Sequence, residues 1–352
     1  MRTIRELRLP KIPVFDQRIA DEARQRQELL TKPPGSLGRL ETLSIQLAGI
    51  YGHLQPKIDR KTVIVLAGDH GVTQEGVSAY PASVTRQMVL NFISGGAAIN
   101  VLARQTGARV VIVDMGIAAD LDQVNGLVPR KIAGGTQNIT KQPAMTHEQA
   151  VQSIQTGIDI IEAECERGLD LVGVGEMGIG NTTSASAITA IMTGLPVKLV
   201  TGRGTGISES SLEHKIETIE NAISFNQPDP ADAMNVLAGV GGFEIGGMAG
   251  VILGAASHRV PVVLDGFISG AAALLASAIA PGIKPYLIAS HLSVERGHHA
   301  ILKHLGLDPL LDLELRLGEG TGAVLAFNLV EATARIFNEM ATFSEAGVDN
   351  KG

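Results

Sequence analysis

Residues 170–192 read DLVGVGEMGIGNTTSASAITAIM. Asp170–Val174 is a short apolar run with β-branched members and no alternation, the pattern of a strand buried on both faces. Gly175–Thr183 (GEMGIGNTT) interrupts it, and Asn181–Met192 continues as a helix of small residues. A strand feeding a glycine-rich loop that opens a helix is the unit of an α/β domain. Five further runs share the strand pattern: Thr62–Ala67, Arg109–Asp114, Val197–Thr201, Pro261–Asp265 and Pro285–Ser290. Helical stretches, among them Thr146–Arg167, Ser208–Phe225, Glu244–Ser257 and Phe267–Ala280, fall between them. The expected fold is therefore α/β, a doubly wound, mostly parallel sheet of about six strands.

The two ends differ from this middle. Asp16–Leu30 and Thr321–Thr342 read as long helices with no strand between them and the sheet region. Leu325, Leu329, Ala332 and Ile336 fall at helical spacing. The expected organisation is an α/β nucleotide- and base-binding domain over 61–318. A small helical subdomain is expected from 1–60 plus 319–352.

Composition narrows the function. The chain has 352 residues, with 29 basic against 36 acidic side chains and a net charge of -7. That balance argues against nucleic acid as a partner, because phosphate backbones call for a basic face. Hydrophobics at 45%, aromatics at 3% and 41 glycines describe a close-packed interior of small residues rather than a disordered chain. The single cysteine, Cys165, sits in an acidic helical context and reads as an inert thiol. Met177–Val197 and Gly266–Ile283 reach the ~18 uncharged residues of a membrane span. Their small residues, with Pro196 and Pro281, mark them instead as buried helices, so no membrane partner is expected. Met1–Arg8 lacks the apolar stretch of a leader, and the expected compartment is the cytoplasm.

The chemistry gathers where the strands end. Ligands of open α/β sheets bind beyond the carboxyl ends of strands, and glycine lets backbone N–H groups approach them. Gly178, Gly180, Asn181 and Thr182 form one such loop, and Gly202, Arg203 and Gly204 of GRGTG form another. Each alone also reads as a cap or a tight turn with a solvated arginine; two in one sheet favour a phosphate or ribose cradle. Neither completes a dinucleotide fingerprint or a P-loop, which disfavours a dinucleotide-dependent oxidoreductase. Glu176 is a carboxylate inside the first loop and must face another part of a ligand. Gly318-Glu319-Gly320 places a second carboxylate in a tight backbone pocket before a helix. That position suits a general base, or simply a helix-start carboxylate. Asp69-His70 lacks a second histidine at ligand spacing, so no metal is expected. The stretch holding His291 and His298 reads as mostly surface.

Taken together, these stretches resemble a known family. KPPGSLGRLE at 32–41, GDHGV at 68–72, VGEMGIGNTTSASA at 174–187, VGGFEIGGMAG at 240–250, LDGFISGAAAL at 264–274, PYLIASH at 285–291 and RLGEGTGA at 316–323 carry the resemblance, in order and over nearly the whole chain. The family is nicotinate-nucleotide–dimethylbenzimidazole phosphoribosyltransferase, of cobamide synthesis. The resemblance implies transfer of 5-phosphoribose from nicotinate mononucleotide to a benzimidazole, by a dimer without metal or cofactor. It implies Glu319 as catalytic base, Glu176 as a holder of the acceptor, and Lys215 near the site. Ser290, Gly318 and Gly320 are expected with the glycine loops around the phosphoribosyl and nicotinate groups.

The acceptor stays open. By that resemblance its pocket includes Tyr80, Met88 and Met177, which are bulky and at best weakly polar. They could suit a smaller ring, so phenol or p-cresol is an alternative acceptor. A non-catalytic nucleotide-binding regulatory subunit is a further alternative, against which the presence of Glu319 speaks.

Overall fold

Six parallel strands form one sheet, β1 (Lys61–Gly68), β2 (Arg109–Gly116), β3 (Leu127–Pro129), β4 (Leu171–Met177), β5 (Val262–Leu264) and β6 (Leu287–Ala289), in the order β3-β2-β1-β4-β5-β6. The computed structural model describes residues 7–121, 123–204 and 206–349. Most of the stretch read for a leader, and Thr205 of the second glycine loop, lie outside them. The sheet winds outward in two directions from the β1–β4 pair. That pair is the switch point, beyond whose carboxyl ends such sheets bind their ligands. All eight positions of β1 are buried, which explains its unbroken apolar run.

The helices are α1 (Gln17–Leu29), α2 (Arg39–Tyr51), α3 (Ser83–Ser94), α4 (Ala98–Thr106), α5 (His147–Glu166), α6 (Asn181–Thr193), α7 (Val197–Val200), α8 (Glu209–Asn226), α9 (Ala233–Val240), α10 (Phe243–Ser257), α11 (Phe267–Ile279), α12 (Arg296–Leu305), α13 (Thr321–Glu339) and α14 (Phe343–Ala346). They cover both faces of the sheet. Ile64 and Leu66 of β1 join the core under α5, α6, α10 and α11. Val63 and Val65 join the core under α2, α3, α4 and α13. Alternate residues of one strand thus feed two cores, as the doubly wound reading requires. Both uncharged stretches belong to this packing, in α6 and α11, and no described helix is long and apolar enough to cross a membrane.

Two expectations are corrected. Val197–Thr201 is not a strand: Val197–Val200 forms the single-turn helix α7. Pro196 sets its start, and burial falls on Val197 and Val200, three apart, while Lys198 and Leu199 face solvent. The sixth strand is β3, only three residues long. In α13 the fully buried stripe is Val324, Phe327, Val330, Ala334 and Phe337; Leu325, Leu329, Ala332 and Ile336 lie beside it, half-buried. The first turns of α13 pack on the sheet through Ala323, Val324 and Phe327. Its far end meets α1 and α2 around Ile19, Ala23, Ala48 and Phe337.

The KPPGSLGRLE turn is fastened from both sides. Lys32 pairs with Glu41 at 2.7 Å, both largely buried. Arg39 donates to the carbonyls of Asp308 and Pro309, fixing the turn to the segment that runs beside β6.

Candidate active site

A cavity of about 520 Å³ opens beyond the carboxyl ends of the strands. The end of β4, the loop after it and the start of α6 give it Glu176–Ile179, Asn181 and Thr182, and the turn after β5 with the start of α11 gives it Asp265–Ser269. His291, Ser293 and Glu295 follow β6, and residues 316–319 close another side. Tyr80, Val84, Met88 and Met177 make an apolar wall, with Tyr80 half exposed at its rim. A groove of about 640 Å³ lies by residues 54–59 and the end of α13. Its lining holds none of the strand ends, and the chemistry gathered above is not in it.

One wall is built of carboxylates. Glu319 has φ 63°, between Gly318 at φ 85° and Gly320 at φ 87°. A left-handed non-glycine residue is uncommon and points to a constrained site. Gly175 makes room for the turn, since a Cβ there would lie 2.6 Å from the Glu319 carbonyl. The Ile99 N–H donates to Glu319 Oε2 at 3.4 Å, and burial raises the carboxyl above its ordinary range. Glu176 is buried, accepts from the Asn181 amide, and is pushed up to about 8 by burial and then by the charges of Glu244 and Asp265. Burial and the neighbouring charges favour its protonated form, which can donate a hydrogen bond. Asp265 is pushed up to about 7, again chiefly by burial. Behind the wall His70 Nε2 meets Glu244 Oε1 at 2.6 Å and His70 Nδ1 meets Ser184 Oγ at 3.1 Å, all buried.

Another corner, at Thr182, is backed by a lysine. Lys215 is almost wholly buried and donates to Thr182 Oγ1 at 2.7 Å. Burial pushes it down to about 8, against the pull of Glu295. Gly204 packs against this pair, and Arg316 donates to the Gly204 carbonyl at 3.2 Å. The N-cap of α6 is Gly180, which has no side chain, and the Asn181 and Thr183 N–H groups donate to the Gly178 and Gly180 carbonyls; Asn181 and Thr182 bring this helix start to the cavity.

Of the residues singled out from sequence, Glu319, Glu176, Tyr80, Met88, Met177, Gly178, Asn181, Thr182, Gly204 and Gly318 line the cavity. Gly180, Lys215, Ser290 and Gly320 stand directly behind the lining, at the start of α6, under Thr182, and around Asp265. Gly202 packs on Glu295, and the GRGTG turn follows helix α7 rather than a strand. Arg203 points away, exposed and paired with Glu209. The surface reading of His291 and His298 is corrected: both are buried, 6.0 Å apart between ring centroids, and only His298 is helical. Burial holds them down to about 4 and about 3, so both are neutral. Asp265, His291 and Glu295 were missed as lining residues; the aspartate before Gly266 at a strand end was the available signal. Cys165 is half-buried and pushed up to about 11 by burial and Glu162, an inert thiol. Among the described residues no group of three or more His, Cys, Asp or Glu is arranged to hold a metal ion.

A buried, raised carboxylate in the lining of a cavity, with a buried lysine behind another part of its wall, suits group transfer on a phosphorylated substrate. The family described as phosphoribosyltransferase matches residues 12–348, and the chain belongs to it. The relatives carry a more particular name, nicotinate-nucleotide–dimethylbenzimidazole phosphoribosyltransferase. One from Chloroflexus aurantiacus is 58% identical over 341 residues, covering 97% of each chain. One from Dehalococcoides mccartyi is 53% identical over 343 residues, again covering 97% of each. The crystal structure of CobT from Thermus thermophilus superposes with a TM-score of 0.92 at 47% identity, covering 95% of this chain and 100% of that one. The family and the α/β architecture expected from the motifs are the ones found.

Proposed function

We propose that this protein moves 5-phosphoribose from nicotinate mononucleotide to 5,6-dimethylbenzimidazole, giving α-ribazole 5′-phosphate and nicotinate in cobamide synthesis. The observation that carries the reading is the placement of Glu319, a raised carboxylate on a constrained turn, in the lining of a cavity that Lys215 backs through Thr182. The names of the relatives support the substrate pair.

The chemistry follows from the two ends of the cavity. One ring nitrogen of the benzimidazole attacks C1 of the ribose. The bond from C1 to the pyridinium nitrogen breaks, and its electron pair neutralises that nitrogen, so nicotinate leaves without needing a proton. The N–H proton of the acceptor passes to the Glu319 carboxylate, a step of the kind that contributes ~10²–10⁴-fold. Glu176, as a neutral acid, can donate to the acceptor and hold its plane. Lys215, Thr182 and the start of α6 offer the phosphate a cation and backbone donors. Binding both rings against opposite sides of C1 supplies the remaining acceleration through orientation.

The same proposal includes a dimer acting without metal or cofactor in the cytoplasm, and the division into 61–318 and 1–60 plus 319–352. A phenolic acceptor draws no support from the cavity, because Tyr80 stands half exposed at the rim instead of filling the interior. Glu319 facing the cavity weighs against a non-catalytic subunit. The test is a crystal soaked with dimethylbenzimidazole. Density for the ring between Glu319, Glu176 and the Met88–Met177 wall is expected; a ring bound elsewhere would overturn the assignment.

A further inference from the structure

The turn that carries Glu319 is held from a distance. Gly320 opens α13 and has no side chain with which to cap it, and the first N–H groups of any helix lack partners inside that helix. Here Thr321 donates to the Gly318 carbonyl, and the Gly320, Gly322 and Ala323 N–H groups are taken by one side chain from the loop after β5. Asp265 Oδ2 accepts from the Gly320 N–H at 3.1 Å. Its Oδ1 accepts from Gly322 at 2.7 Å and from Ala323 at 3.2 Å. Both carboxylate oxygens are thus occupied by backbone, which separates Asp265 from a free base such as Glu319.

We propose that Asp265 is the positioning residue for the catalytic carboxylate: by clamping Gly320, Gly322 and Ala323 it holds Glu319 in its left-handed conformation, aimed into the cavity. The inference rests on the reading of Glu319 as the base. A sparsely populated backbone conformation persists only where its surroundings over-determine it. Gly175 packs against the carbonyl side of Glu319, and Asp265 fixes the amide that follows it. Asp265 is anchored in turn: Ser290 Oγ donates to its backbone carbonyl at 2.9 Å, and Ser290 meets His291 Nδ1 at 3.0 Å. The His291 ring lies directly over Gly322, so the clamp is closed from above as well.

The experiment is a double-mutant cycle on the full-length protein. Asp265→Asn keeps the shape but puts an amide donor where a backbone donor already points. In the otherwise native protein it should lower kcat by ~10²-fold, the usual consequence of a misplaced reacting group, with KM for the mononucleotide within ~3-fold. In the Glu319→Gln background the same change should cost less than ~3-fold in kcat, because the group being positioned is already gone. Equal losses in both backgrounds, or native turnover in the single variant, would overturn the positioning role. Native turnover in Glu319→Gln would instead overturn the base assignment, so the two failures are distinct. If the Asn variant does not fold, amide exchange in the native protein decides. The Gly320, Gly322 and Ala323 amides should exchange slowly, whereas rapid exchange, normal for a free helix start, would contradict the clamp.

Discussion

Helices α6 and α13 both present their amino ends to the cavity, and both begin after a left-handed glycine, Gly180 at φ 96° and Gly320 at φ 87°. They differ in what occupies that end. The start of α13 is filled by the protein's own carboxylate, Asp265, which leaves no room for an anion from outside. The start of α6 follows Gly180, turns two of its N–H groups back to the Gly178 and Gly180 carbonyls, and has Lys215 bonded to Thr182 of its first turn. On the function proposed above, one helix start holds Glu319 still and the other receives the phosphate. Sequence makes them look alike, since each is a glycine-bracketed loop before a helix.

The comparison can be broken most sharply at Glu319. Glu319→Gln keeps the shape and the Ile99 contact but cannot take a proton, and turnover should fall by ~10²–10⁴-fold with folding intact. In the native enzyme kcat should rise with pH along an acid limb above the usual ~4.3 of a glutamate, since burial raises this one. A Gln variant with near-native turnover would contradict the assignment. At the other helix start, Gly204→Val places a Cβ 2.9 Å from Thr182 Oγ1 and 3.3 Å from Lys215 Nζ, at a φ of 51° that valine resists. Losing one charge-assisted hydrogen bond to phosphate, about 1.5–3 kcal/mol, would raise KM for the mononucleotide by roughly tenfold or more. The dephosphorylated riboside should be affected much less. Equal effects on both would show that this corner does not read phosphate.

A smaller effect concerns stability. Glu176 is pushed up to about 8 in the folded state and so binds its proton more tightly there than in the unfolded chain. Raised carboxyls stabilise at low pH and lose that contribution as pH climbs through their folded values. His291 and His298, held down to about 4 and about 3, act in the opposite direction, but only below their ordinary value of 6.5. Above pH 6.5 the raised carboxyl of Glu176 decides until Lys215, held down to about 8 and opposite in sign, offsets it, so Tm should fall between pH 6.5 and about 7.5. Glu176→Gln should flatten the fall; an unchanged slope would separate Glu176 from it. The smallest expected effect is at Arg203, which is exposed and paired with Glu209. Arg203→Ala should change stability by no more than ~0.5 kcal/mol and leave KM near native. A large rise in KM would return this arginine to the phosphate site.

What could be read from sequence follows the length and locality of each signal. β1 and β2 were legible because both are long and apolar, and β1 is buried throughout. α7 was not, because four residues carrying two valines satisfy a strand template and a helical turn equally. β3 offers only three residues. In the site, Glu319 and Glu176 stood out because glycines bracket or follow them in the chain. Asp265 acts on residues 55 to 58 positions away, and His70 meets Glu244 across 174 positions. No local pattern encodes such pairings. His291 and His298 read as surface beside Glu295 and Arg296, yet the sheet edge and α12 enclose them.

The most direct measurement is nicotinate release from nicotinate mononucleotide by the purified protein, with and without dimethylbenzimidazole and with p-cresol as a competing acceptor. Release that depends on the benzimidazole, matched one for one by α-ribazole 5′-phosphate, is the expected result. Tight binding of the mononucleotide without turnover, or a product formed only with the phenol, would contradict it.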